Sequence, residues 1–413
     1  MLAINRDRIR QRIETLASLV DPDLPPYTRR SFTDTYLRGR TWLAQTFREA
    51  GLEVRQDAAA NLIGVRDGSD PSAGGLWIGS HIDTVMGGGR FDGVAGVIVA
   101  VEVAQILNEA GVALRHPLNV VDFLAEEPSD YGLSCVGSRA VAGRLEAKHL
   151  GQRGPGSETL ADAMTRMGAR VDELDGPLLA DDGIAAFLEL HIEQGAHLET
   201  SGDTLGIVSG VVGIRRYRLT IDGQANHAGT TAMADRKDAL VAASRVIADV
   251  HDLACEASDS LVATVGAIEV QPNSANVVPG SVVASFEVRA RTENEIDAFV
   301  VEAFERAERI AVAASCALVT TEISRQIPIR FDETLISLAQ QAAHRRNHPS
   351  RELFSGAGHD AAHLAARWPA VMLFVPSRGG ISHHPDEWTE LDHLVAGAET
   401  MLDTLLDLDG ANR

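Results

Sequence analysis

Four short stretches of this 413-residue chain gather side chains able to hold a metal ion or move a proton. The first is Gly79-Ser-His-Ile-Asp-Thr-Val85, followed by Gly87-Gly-Gly-Arg-Phe-Asp-Gly93. His81 comes straight after a short apolar run, and Asp83 could hydrogen-bond whichever ring nitrogen His81 leaves unused, as a metal-bound histidine commonly requires. Glycines 87 to 89 suggest a dinucleotide loop, but Asp92 stands where G-x-G-x-x-G needs its last glycine, so the loop delivers a carboxylate instead. In the second stretch, Phe123-Leu-Ala-Glu126-Glu127, an apolar run ends in two adjacent carboxylates. Strand neighbours point to opposite faces, so the pair reads as one solvated and one ion-paired glutamate. If the chain turns at the strand end, the pair reads instead as a metal ligand beside a group that takes a proton from water. The third, Leu188-Glu-Leu-His191-Ile-Glu193-Gln194-Gly195, buries a histidine in an apolar strand. The fourth, Gly379-Gly-Ile-Ser-His383-His384-Pro385-Asp-Glu387, sets paired histidines on a glycine-rich turn. Taken singly, each fits ordinary core or surface residues. Taken together, four strand-to-loop junctions end in His, Asp or Glu. Parallel sheets bind ligands at the carboxyl ends of their strands, so such junctions can converge on one N/O ligand set, suited to Zn²⁺, Mn²⁺, Co²⁺ or Ni²⁺.

The elements that would position them follow from periodicity. Residues 5–20 and 34–50 read as amphipathic helices, the second closed by Gly51. Leu76–Ile78 reads as a short strand, 94–110 as an apolar helix closed by Gly111, and Leu118–Leu124 as another strand, an alternation that predicts an α/β layer with a largely parallel sheet. From about residue 212 the order becomes strand 214–221, helix 235–252, strands 261–270 and 282–290, helix 294–313 and strand 317–323. That is the βαββαβ order of a ferredoxin-like unit. A helix over 333–346 and a buried strand over 371–375 return to the first layer. The predicted organisation is a catalytic metal-binding domain formed by 1–211 and 329–413, with a domain over 212–328 inserted into it.

Composition narrows the chemistry. The chain carries 37 basic against 58 acidic residues, net −21, a poor balance for nucleic acid, whose affinity rests on clustered Lys and Arg. Lys148 and Lys237 are its two lysines, and neither follows a glycine, so no P-loop can be built. Three distant cysteines, Cys135, Cys255 and Cys316, argue against a disulfide framework, and no secretory signal or bilayer-length apolar run is visible. The expectation is a cytoplasmic protein without membrane or nucleic-acid partners.

GSHIDTV, GGRFDGVAGV, FLAEE, GSRA, LELHIEQG, GQANHAGTT, NVVPG, SGAGHDA and GISHH-P-D-E, in that order from residue 79 to 387, resemble the amidase (hydantoinase/carbamoylase) branch of the M20 metallopeptidase-like family. That branch includes N-carbamoyl-L-amino acid hydrolases, allantoate amidohydrolases, ureidoglycolate hydrolases and β-ureidopropionases. The resemblance implies two divalent ions per subunit held by His81, Asp92, Glu127, His191 and His383, with Asp92 bridging. It implies Glu126 as general base and then acid, Asp83 as the partner of His81, and His227 as the oxyanion donor. The family pattern has Asn after Ser-His, so the match falls on His383 and leaves His384 at the Asn position. An anionic ureido or carbamoyl substrate needs a local cation in so acidic a chain. Arg289 is the match, its planar guanidinium suited to a carboxylate, with Asn276, Gln194, Gly358 and His359 lining the pocket. The resemblance further implies closure of the inserted domain as a lid and a homodimer formed through it, in which His227 or Asn276 serves the partner's site. The expected activity is hydrolysis of N-carbamoyl-L-amino acids to L-amino acid, ammonia and carbon dioxide. Allantoate hydrolysis follows as the alternative, then aminoacylase or dipeptidase activity, and, in a different class, a metal-depleted binding protein. Two departures from the family pattern stand out: Pro128–Cys135 beside the carboxylates, and Ala232 where a proline is usual.

Overall fold

The computed structural model describes residues 2–258 and 260–410. The chain divides into two compact units, Met1–Ser209 with Arg330–Arg413, and Gly210–Ile329.

The first unit is built on a nine-stranded sheet. Its centre is four parallel strands in the order Leu118–Asp122, Gly75–Ser80, Ile184–Ile192 and Ala370–Val375. Antiparallel strands flank them, Leu62–Arg66 and Glu53–Gln56 on one side and Leu205–Val211 on the other. Gly75–Ser80, Leu118–Asp122 and Ala370–Val375 are buried along their whole length, which is why they read as continuous apolar runs rather than alternating ones. The helix Val94–Glu109 packs on this sheet and is buried on nearly every side, Glu102 included. That carboxylate is tolerated because Arg8 at 2.6 Å and Arg12 at 3.3 Å reach it from the first helix, Arg6–Ser18. Asn5 caps that helix through the Arg8 N–H, and Thr33 caps Asp34–Glu49 through the Tyr36 N–H, satisfying donors that the first turn leaves free.

In the second unit the four antiparallel strands run Ala317–Gln326, Gly213–Asp222, Ser281–Ala290 and Val262–Gln271 across the sheet. With helices Ala239–Glu256 and Glu293–Ala313 packed against them, this is the βαββαβ fold. Alternation decides the face: Tyr217, Leu219 and Ile221 are buried while Arg216 and Arg218, on either side of Tyr217, are exposed. Phe286, 1% exposed, stacks on Tyr217 with ring centroids 5.9 Å apart, and truncating such a residue to alanine costs about 3–5 kcal/mol. Thr292 and Glu295 form a reciprocal capping box at the start of the second helix.

Candidate metal centre

Each of the four central parallel strands delivers part of one site at its carboxyl end. Gly75–Ser80 runs into His81, Leu118–Asp122 leads to Glu126 and Glu127, Ile184–Ile192 contains His191, and Ala370–Val375 opens the loop that carries His383. Asp92 arrives from the glycine loop just before the helix Val94–Glu109.

Three groups of ligand atoms, each mutually within 4.8 Å, form there: His81, Asp92 and His191; Asp92, Glu127 and His383; and Glu189, His191 and His359. Asp92 belongs to the first two and divides its oxygens between them. Its Oδ1 lies 3.1 Å from His191 Nε2 and 3.7 Å from His81 Nε2, and its Oδ2 lies 3.0 Å from His383 Nε2. His383 Nε2 is also 3.5 Å from Glu127 Oε1. Both buried rings are oriented by backbone: His81 Nδ1 meets the Asp83 carbonyl at 3.0 Å and His191 Nδ1 the Ile192 carbonyl at 2.9 Å. Each therefore turns Nε2 toward Asp92.

That contact corrects the expected geometry of Asp83. Its carboxylate is 3.6 Å from the His81 ring and instead accepts the backbone N–H groups of Glu126 at 3.2 Å and Glu127 at 3.1 Å. Asp83 thus orients His81 with its backbone and fixes the two glutamates with its side chain. Ala125, at φ 52°, supplies the turn that takes both glutamates off the strand.

The side chains suit a divalent cation. His81 Nε2 and Glu127 Oε1 are buried without a hydrogen-bond partner, a costly state unless something else satisfies them. Burial pushes Glu126 and Glu127 well above the usual carboxylate range, reinforced by Asp360 and Glu127 for the first and by Asp92 for the second. Burial would raise Asp92 too, but hydrogen bonds from His191 and His383 hold it well below its ordinary value. Burial depresses His81 to about 4, keeping it neutral and able to ligate. His191 rises to about 9, because Asp92 outweighs the burial that opposes it. Crowded carboxylates converging with three imidazoles, of which burial holds His81 neutral, are the donor set of a hard to borderline ion.

Other expected residues are placed differently. Gln194, at φ 58°, turns its amide onto Asp92 Oδ2 at 2.9 Å and toward Ser382 at 3.3 Å, so it braces the shared carboxylate. His359 is buried, hydrogen-bonded through Nε2 to Ser355 at 2.9 Å and edge-on to His191 at 4.5 Å between ring centroids, while Gly358 is exposed nearby. His384 is exposed and turned toward Asp386. His227, Asn276 and Arg289 lie in the second unit. His227 is exposed and accepts the Gly229 N–H on Nδ1 at 3.0 Å. Asn276 accepts the Ser274 hydroxyl at 2.8 Å. Arg289 is not an open cation, since Glu287 on the same strand holds its guanidinium at 2.7 Å.

Glu387 had no assigned role. Fully buried, it accepts the N–H of Phe91 at 2.8 Å and of Asp92 at 3.1 Å on one oxygen and the Ser382 hydroxyl at 2.9 Å on the other. It thereby ties the loop carrying Asp92 to the loop carrying His383. Glu189 was also unassigned. It lies two residues before His191 and accepts Ser80 and the Ala361 N–H. A charge inside the apolar run Phe187-Leu-Glu-Leu-His was its signal, whereas Glu387 lay inside the motif GISHH-P-D-E but nothing local showed what it would hold.

The fold and site define a class: α/β proteins with a candidate metal centre at the carboxyl ends of the central parallel strands. The chain belongs to the peptidase family M20/M25/M40, which it matches over residues 77–407. It is 37% identical over 405 residues to the N-carbamoyl-L-amino acid amidohydrolase of Geobacillus stearothermophilus, covering 98% of this chain and 99% of that one. It is 36% identical over 382 residues to the allantoate amidohydrolase of Bacillus subtilis, covering 92% of each. The crystal structure of a hydantoinase/carbamoylase family amidase from Burkholderia multivorans superposes with a TM-score of 0.90 at 33% identity, over 98% of both chains. The chain is an amidohydrolase of this family, a hydrolase of C–N bonds other than peptide bonds. Family members are metal-dependent, and this chain has candidate ligand groups. No helix among the described residues is long and apolar enough to cross a membrane.

Proposed function

We propose that the chain hydrolyses N-carbamoyl-L-amino acids to the L-amino acid, ammonia and carbon dioxide, using two divalent ions. The observation that carries this reading is the sharing of Asp92 between two ligand groups with Glu126 beside them. His81, Asp92 and His191 would hold one ion, and Asp92, Glu127 and His383 the other. Bound ions of this kind lower the pKa of water and polarise a carbonyl.

Glu126 then moves the protons. Its Oε2 lies 3.6 Å from His81 Nε2, and its raised basicity suits it to take a proton from the attacking water and return it to the leaving nitrogen. Gln194 and Glu387 keep Asp92 and its loop in place while this happens. To His227 we assign stabilisation of the oxyanion, to Arg289 recognition of the substrate carboxylate in competition with Glu287, and to Asn276, Gly358 and His359 neutral contacts. The chain is proposed to act as a homodimer through the second unit. Both edge strands of that unit carry exposed apolar residues, Val262 and Ile268 on one and Val319 and Ile323 on the other, and sedimentation of an active monomer would refute the dimer.

Allantoate is the second substrate reading, supported by the similar identity to the Bacillus subtilis enzyme. The deciding experiment is ammonia release from protein loaded separately with Mn²⁺, Co²⁺, Ni²⁺ or Zn²⁺, over N-carbamoyl-L-amino acids, allantoate, ureidoglycolate and N-acetyl amino acids. Turnover of acyl compounds with none of the ureido ones would overturn both readings.

A further inference from the structure

The Glu126 carboxylate, on which the proposed chemistry turns, is anchored by backbone but nearly free in its side chain. Its N–H is held by Asp83, and its carbonyl accepts the Cys135 N–H at 2.8 Å. Val136 N–H to the Ala125 carbonyl at 3.0 Å and Gly137 N–H to the Leu124 carbonyl at 2.8 Å continue the same zipper. At the carboxylate itself, one hydrogen-bond donor is offered among the described residues: the Cys135 thiol, 3.3 Å from Oε1. The other oxygen, Oε2, is the one that faces His81.

We propose that Cys135 is a positioning residue for Glu126, its S–H holding one carboxylate oxygen so that the other faces the metal-ligating histidine. This rests on the reading of Glu126 as the proton carrier. Cys135 is buried and sits at φ 55° immediately before the helix Val136–Val141, so its side chain is aimed by a backbone that the next turn locks. Burial, followed by the Glu126 charge, pushes the thiol well above its ordinary value, which keeps it a donor. A thiol is a weak donor, so it can fix the direction of a carboxylate while leaving its basicity almost intact. The residue closes the Pro128–Cys135 segment that follows the two glutamates.

The test uses the full-length, metal-loaded protein and the variants Cys135→Val, Cys135→Ser and Glu126→Gln. Losing one hydrogen bond of this strength predicts that Cys135→Val lowers kcat about three- to tenfold with KM, metal content and melting temperature unchanged, and that Cys135→Ser, which keeps a donor, restores most of it. In a Glu126→Gln background, Cys135→Val should have no further effect. The proposal is overturned if Cys135→Val keeps wild-type kcat, if Cys135→Ser is impaired as much as Cys135→Val, or if the two losses multiply. A separate readout needs no substrate. The infrared S–H band of Cys135, isolated by subtracting the Cys135→Val spectrum, should shift in Glu126→Gln, and an unmoved band refutes the contact. Full activity in Glu126→Gln alone would instead refute the proton-carrier reading, leaving the S–H band to judge the contact by itself.

Discussion

Gly93 offers a sharp test of the centre, because it has no side chain where His81 needs room. A methyl group added there would fall 2.3 Å from both Cε1 and Nε2 of the His81 ring. Non-bonded carbon contacts settle near about 3.5 Å, so the ring would have to retreat by roughly 1 Å. The atom displaced is the one that faces Asp92. Gly93 also sits at φ 64°, ψ −46°, a sparsely populated region that costs an L-residue about 1–3 kcal/mol. Ligand distances in such sites tolerate only about ±0.2 Å, so Gly93→Ala should weaken ion binding by about 10- to 100-fold, the penalty typical of disturbing the groups that orient a ligand. The assay is calorimetric titration of the metal-free protein with Mn²⁺ or Zn²⁺, beside melting curves with and without the ion. Binding within threefold of wild type would refute the close approach and with it the role of His81 as an inner ligand.

Glu387→Ala leaves the Phe91 and Asp92 N–H groups buried without acceptors, about 1–3 kcal/mol each. It should lower the melting temperature and strip metal during dialysis, while Glu387→Gln, which keeps an acceptor, should do neither. Glu126→Gln should retain its metal by elemental analysis yet lose about two to four orders of magnitude in turnover; near-normal rates would remove Glu126 from the mechanism. Asp409 predicts a pH effect on folding. Burial opposes its ionisation, but the N–H groups of His116 and Arg115, each at 2.9 Å, and the His116 ring hold it below the usual range. Its contribution is therefore present above the unfolded-state value of about 3.9 and lost as pH falls through the lower folded value. Asp409→Asn should flatten the acid limb of a urea-unfolding series and lower neutral stability by about 1–3 kcal/mol.

Much of the architecture was legible because burial writes itself into sequence. The runs 76–78, 118–124 and 371–375 are apolar since both sheet faces are covered, and Arg216 and Arg218 alternate with core residues since one face of the second sheet is not. The flanking strands Glu53–Gln56 and Leu205–Val211 were not read, the first being short and mostly exposed, the second holding two glycines and a serine. In the centre, His81, Glu126, Glu127 and His191 were marked by polar residues at apolar strands and Asp92 and His383 by glycine-rich loops, and the family resemblance assigned them roles. What stayed hidden depended on contacts between distant segments. That Asp83 uses its backbone for His81 and its carboxylate for two N–H groups is a matter of angles, and that Glu387 holds the loop of Asp92 involves residues 295 positions apart.

The chain leaves the first unit and rejoins it at neighbouring points: the Phe331 N–H donates to the Ser209 carbonyl at 3.1 Å. The 120 residues between, Gly210–Ile329, are thus a cassette whose two ends the host already holds together. Closing such a loop costs little more for a long insert than for a short one. A chain in which a short glycine-serine link replaces Gly210–Ile329 should therefore still fold and still take up metal, while losing whatever the second unit adds to catalysis. Evolution could exchange or reshape the insert without rebuilding the centre, and a protein engineer could graft a foreign domain at the same pair of positions.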